Sequence, residues 1–132
     1  MIFKTEKYVI GPGQPTYFIA DIAANHDGNL DKAIELIHLC ANNGAHAAKF
    51  QNFSADTIVS DFGFKALGQQ KSHQSEWKKS VSEVYKDASI PLEWTPILKK
   101  ECHKANIDYF TSPYDIKMLK YLSDYVCAWK IG

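Results

Sequence analysis

Apolar residues follow two rhythms along this chain. "KYVI" and "TYFIADIA" are short apolar runs separated by the breaker cluster "GPGQP", and both read as strands. From Asn29 the period lengthens. Leu30, Ala33, Ile34, Ile37, Cys40 and Ala41 recur at helical spacing, with Asp31 in the first turn and Gly44 as a stop. "AHAAKFQNF" returns to strand character. It is followed by a polar segment, residues 54–74, rich in Ser, Asp, Gly and Gln, whose length predicts a functional loop. Trp77, Val81, Val84, Tyr85 and Ala88 then form a helical stripe. "TPILKKECHKAN" predicts a helix with Thr95 as N-cap and Pro96 at its first position, where a missing N–H is harmless. "IDYFTSP" reads as a third core strand, "YDIKMLKYLSD" as a short helix and "VCAWKIG" as a fourth strand.

Strands that alternate with helices imply a parallel sheet built by right-handed crossovers, either doubly wound or part of a barrel. An eight-stranded barrel takes about 250 residues. The chain has 132 and closes on a strand without a covering helix. The expected fold class is therefore α/β, the N-terminal half of a (β/α)8 TIM barrel with four parallel core strands and intervening helices. Residues 1–16 are expected to form an arm or lid strand, and 17–132 the half-barrel.

Composition narrows the function classes. Hydrophobic residues make up 45% of the chain, enough for a substantial core. Fifteen basic and fifteen acidic residues cancel, so no net field attracts a polyanion, and nucleic acid is not an expected partner. Cys40, Cys102 and Cys127 are odd in number and far apart, which fits reduced thiols better than a disulfide framework or zinc site. No stretch approaches the roughly 18 apolar residues of a membrane span, and the N-terminus is too polar for a signal peptide. A cytoplasmic protein is expected.

Ligands of parallel α/β folds bind beyond the carboxyl ends of the strands. The first core strand ends in Asp21 and Asn25-His26, the second in Lys49 and Gln51, the third in Thr111-Ser112, the fourth in Lys130. Two of these are lysines inside apolar runs, "AAKFQ" and "AWKIG". A buried ammonium needs a partner. The partner is either a neighbouring Asp or Glu or an anionic ligand, a phosphate or carboxylate, and two such lysines at matching strand ends favour the ligand. Asp21 is either a cap for the following loop or a catalytic group. His26 reads as a turn residue, since no second histidine stands at ligand spacing, and His38, His46, His73 and His103 form no cluster.

"FIADIAANHDGNLDKAIELI", "GAHAAKFQNFSADTIVS", "IDYFTSPYD" and "WKIG" together resemble, in order and spacing, the N-terminal half of the sialic acid synthases, a group that includes N-acetylneuraminate, legionaminate and pseudaminate synthases and spore-coat polysaccharide proteins. The resemblance runs from Tyr17 onward. It implies a (β/α)8 barrel followed by a small antifreeze-like domain, and condensation of phosphoenolpyruvate with an N-acetylated mannosamine-type sugar. By position, Lys49, Ser112 and Lys130 resemble phosphoenolpyruvate ligands and Gln51 a contact on the sugar side, while Asn25 and Gln74 (with His73) are placed among the substrate-binding residues. Asp21 stands where the family usually has a glutamate that handles a proton or orients water, so Asp21, Lys49 and Lys130 are the catalytic candidates. Where the family has I-G-x-N-H, this chain has Ala23, which implies altered local packing.

The family's reaction, attack of phosphoenolpyruvate C3 on the open-chain aldehyde followed by loss of phosphate, uses a divalent metal, Mn²⁺ or Mg²⁺. Its ligands are expected beyond Gly132, as are a second acidic residue, the rest of the phosphate pocket and the antifreeze-like domain. No metal ligand is expected within this chain, and these residues alone are expected to be inactive. The complete protein is expected to be a homodimer. The rival readings are another phosphoenolpyruvate–aldose condensing enzyme of the same barrel type, or a non-catalytic half-barrel that binds or scaffolds.

Overall fold

A computed structural model describes residues 1–66 and 77–131. The chain opens with a small antiparallel hairpin, β1 (Phe3–Lys4) and β2 (Val9–Ile10). There follow β3 (Ile19–Ala23), α1 (Leu30–Asn42), β4 (Ala47–Asn52), two short helices α2 (Ala55–Ile58) and α3 (Asp61–Ala66), then α4 (Val81–Ala88), α5 (Trp94–Lys104), β5 (Asp108–Pro113) and α6 (Ile116–Leu122). The three longer strands form one parallel sheet in the order β3-β4-β5, so each successive strand is added beside the last.

Local chemistry fixes the element ends. Asn29 caps α1 by accepting from the Lys32 N–H at 3.0 Å, and Gly44 adopts φ +86 just past the helix, a conformation that favours glycine. Asp115 caps α6 through the Lys117 N–H.

Side-chain alternation then divides the sheet into two faces. Ile22, Ala48, Phe50 and Tyr109 join Ala33 and Ile37 of α1 and Leu98 and Cys102 of α5 in the hydrophobic core, where the Phe50 and Tyr109 rings stack with centroids 5.8 Å apart. The alternate residues, in register as Ala47↔Asp108, Lys49↔Phe110 and Gln51↔Ser112, fall on the opposite face, where Ile19 and Asp21 of β3 join them. The helices cover one face of the sheet, and most of the candidate site residues lie on the other.

Four expectations are corrected. The fourth strand is reduced to one parallel bridge, Thr111↔Trp129, supported by the Lys130 N–H donating to the Thr111 carbonyl at 3.3 Å; among the described residues the sheet has three strands, and Trp129, Lys130 and Ile131 stay exposed. The helix carrying the Trp77 stripe starts only at Val81, because Ser80 and Glu83 form a capping box that fixes its first turn. Helix α5 begins at Trp94 with Glu93 at the cap position, so Thr95 lies inside the helix and caps nothing; a turn donating the Trp94 and Thr95 N–H groups to Pro91 and Leu92 winds the chain up earlier. Finally, residues 55–66 of the predicted loop are helical, as α2 and α3.

The β1–β2 hairpin is docked at the amino end of the sheet. Tyr8 donates to the Asn106 carbonyl at 3.1 Å and packs edge-on to Tyr17 and His46. Tyr17 in turn donates to Asp108 Oδ2 at 2.7 Å.

Candidate functional site

Asp21 and Lys49 are register partners on adjacent strands, and their side chains meet: Lys49 Nζ donates to Asp21 Oδ1 at 2.8 Å. The pair is lopsided, since the Lys49 side chain is 8% exposed and the Asp21 side chain 61%. A buried ammonium thus has a mostly hydrated carboxylate as its partner. Of the two partners expected for Lys49, a neighbouring carboxylate or a ligand anion, the carboxylate is the one this structure contains. Asp21 is accordingly an ion-pair partner, with no part in capping the loop.

Beyond this pair along the same face come Gln51 and its register neighbour Ser112. Ser112 is 1% exposed, and its Oγ is a buried polar atom without a hydrogen-bond partner among the described residues. Such an atom is costly to leave unmet. Directly behind, Thr111 Oγ1 donates to Asn52 Oδ1 at 2.6 Å and the Tyr114 N–H donates to the Asn52 carbonyl at 2.9 Å, tying the carboxyl ends of β4 and β5 together.

The loop after β3 closes on itself. Ile22 is an extra residue in the β3–β4 pairing, a bulge, and Ala23 then takes φ 50. The Asn25 side chain donates to the Ile22 carbonyl at 2.9 Å, so its amide N–H is used in holding the turn. His26 is fully buried, edge-on to Trp94, with Nδ1 accepting from the Gly28 N–H at 3.1 Å. Burial holds its pKa below the ordinary histidine value. His26 is therefore a buried anchor of the loop rather than a simple turn residue.

Lys130 departs from expectation. It is exposed, and its ammonium donates to the neighbouring Ile131 carbonyl. Among the described residues, a single bridge holds its segment to the sheet. Lys130 does line a cavity of about 410 Å³ with Ile19, Tyr17, Phe110 and hairpin residue Phe3, and Phe110 is also the register partner of Lys49. The structure therefore brings Asp21, Lys49, Gln51 and Ser112 onto one face, puts Lys130 at the edge of that face, and commits Asn25 to the backbone. Gln74 and His73 lie outside the described residues. No group of three or more His, Cys, Asp or Glu able to hold a metal ion occurs among the described residues. No helix among them is long and apolar enough to cross a membrane.

Sequence reasoning missed two polar pairs. The Asn52–Thr111 bond could have been suspected, since both residues fall in phase with Phe50 on the helix-covered face, where a polar side chain needs a partner. The Tyr17–Asp108 bond joins residues 91 apart and carries no local signal.

The chain is similar to known proteins. A family description, "NeuB family", matches residues 36–132. The spore coat polysaccharide biosynthesis protein SpsE of Bacillus subtilis is 30% identical over 113 residues, covering 86% of this chain and 29% of that protein. The N,N'-diacetyllegionaminic acid synthase of Campylobacter jejuni is 29% identical over 109 residues, 83% of this chain and 32% of that protein. Among solved structures, the N-acetylneuraminic acid synthetase of Leptospira borgpetersenii, determined with citrate, superposes with a TM-score of 0.77 at 25% identity, covering 99% of this chain and 41% of that one. The chain spans about a third of the length of the curated relatives it matches.

Proposed function

Since the chain belongs to the NeuB family, we propose that it forms the first half of a (β/α)8 barrel in a synthase that condenses phosphoenolpyruvate with an N-acetylated mannosamine-type sugar to give a nonulosonic acid. The observation that carries this reading is the common face of Asp21, Lys49, Gln51 and Ser112 at the carboxyl ends of three parallel strands, with a buried ammonium and an unsatisfied buried hydroxyl among them. Three of those side chains can donate hydrogen bonds to an anion, and one is fixed as a cation.

In this reading Lys49 and Ser112 grip the phosphate or carboxylate of phosphoenolpyruvate, and Lys130 supplies a second cation from the edge of the site. Charge-assisted hydrogen bonds of this kind contribute about 1.5–3 kcal/mol each. During attack by C3 the charge on the enolpyruvate shifts, and a cation already held in place stabilises that shift without reorganising. Gln51 orients the sugar, and Asp21 handles a proton or orients water. The divalent metal, Mn²⁺ or Mg²⁺, belongs to the complete protein with ligands outside this chain. A cytoplasmic location and a homodimer belong to the same reading.

The test is steady-state kinetics of the complete enzyme with Lys49→Ala and Lys130→Ala. The Lys49 change is expected to lower kcat/KM for phosphoenolpyruvate at least a hundredfold, and the Lys130 change by less, because its ammonium is exposed. Near-normal kinetics in both would discard the anion-site reading.

A further inference from the structure

Asp21 and Lys49 differ in a way that assigns them unequal parts. Lys49 cannot leave, since its ammonium stands at the end of a buried side chain on the central strand of the sheet. Asp21 can, since its short side chain is 61% exposed. Rotation about χ1 would carry its carboxylate into water with little loss of solvation, whereas breaking the pair from the lysine side would strand a charge in the protein interior.

We infer that Asp21 is the built-in counter-ion of an anion site at Lys49, and that a phosphate- or carboxylate-bearing ligand enters by displacing it. Resting on the reading proposed above, this gives Asp21 a part in substrate affinity separate from any part in proton handling. The pair is electrically neutral as it stands, so the unliganded site does not strand a buried charge. The ligand then competes with an intramolecular carboxylate held on the same strand pair. Gln51 and the Ser112 hydroxyl, unpartnered among the described residues, lie further along the face, each two residues beyond Lys49 and its neighbour Phe110, at a strand rise of about 3.3 Å per residue. That spacing suits an anion that bridges the lysine and the serine.

A catalytic acid removed from an active site ordinarily leaves ligand affinity unchanged or weaker. A counter-ion removed from a cation leaves it stronger. Taking away one negative charge about 6 Å from a bound anion, at an effective dielectric between protein and water, is worth roughly tenfold in affinity.

The experiment is calorimetric titration of the protein with inorganic phosphate and with phosphoenolpyruvate at low ionic strength, comparing wild type with Asp21→Asn, Asp21→Glu and Lys49→Met. Asp21→Asn is expected to bind both anions about tenfold more tightly, Asp21→Glu to stay within about threefold of wild type, and Lys49→Met to lose binding. Loss of binding in Lys49→Met with no gain in Asp21→Asn overturns the counter-ion and leaves the anion site standing. Unchanged binding in Lys49→Met overturns the anion site itself. Carboxyl ¹³C resonances of the wild type give a second measure that needs no variant to fold: the Asp21 signal is expected to move on adding phosphate, and a fixed signal through saturation overturns displacement.

Discussion

His26 shows how one residue's burial reaches the pH behaviour of the chain. Its ring is fully enclosed and lies against Trp94, and that burial favours the neutral form. The folded protein therefore takes up this proton at lower pH than the unfolded chain does. Stability from this site is complete above the ordinary histidine value of 6.5 and is lost as pH falls from there towards the lowered folded value. One proton sets the limit, about 1.4 kcal/mol per pH unit. In His26→Gln, urea unfolding between pH 4.5 and 7 should show a flatter acid limb than wild type; an identical slope would mean that the ring titrates freely. "NHDG" announces a turn, but the enclosure depends on a tryptophan 68 positions away. Lys130 errs in the opposite direction, since an apolar run suggests burial where only tertiary closure could deliver it.

At the level of elements, the junction of β3 with its loop carries strain. Ala23 holds φ 50, in the left-handed region that costs a residue with a Cβ roughly 1 kcal/mol or more. The glycine of the resembling I-G-x-N-H motif thus has a backbone reason, and the alanine here keeps the conformation without the freedom. Ala23→Gly should raise stability by about 1 kcal/mol in denaturant titration, net of the greater flexibility of the unfolded chain; a loss of stability would place the controlling contact on the alanine methyl. The elements themselves were largely legible. Periodicity located α1, β4, β5 and α6 because each has one buried face. It overextended α4 to Trp77 because an apolar stripe continues in sequence past a cap, although "SVSE" already spelled the Ser80–Glu83 capping box. It passed over α2 and α3, which are too short, at four and six residues, to show a helical period.

The whole molecule is held by one core in which α1 and α5 pack on the sheet, with Cys102 fully buried between them. Burial pushes the Cys102 thiol up to about 12, leaving almost no thiolate at neutral pH. Cys40 and Cys127 are half-buried, with smaller rises of the same origin. Alkylation at pH 8 followed by mass spectrometry should modify Cys127 and Cys40 first, and Cys102 only at the rate of global unfolding. Early labelling of Cys102 would show that α5 opens separately. Alternating strands and helices were enough to read the parallel order β3-β4-β5, because each crossover leaves its hydrophobic face in the sequence. The incomplete fourth strand was not legible, since ladder hydrogen bonds depend on a neighbour and leave no mark on the residues that lack one.

The bulge at Ile22 has a consequence for comparing sequences. It inserts one residue between Asp21, which pairs with Lys49, and Ala23, which pairs with Phe50. A homologous strand that ran straight would need one residue fewer here to keep the same partners on both sides. A single-position gap between residues 21 and 25 in an alignment is then a mark of a straightened strand, and closing it would shift the acidic position onto the helix-covered face.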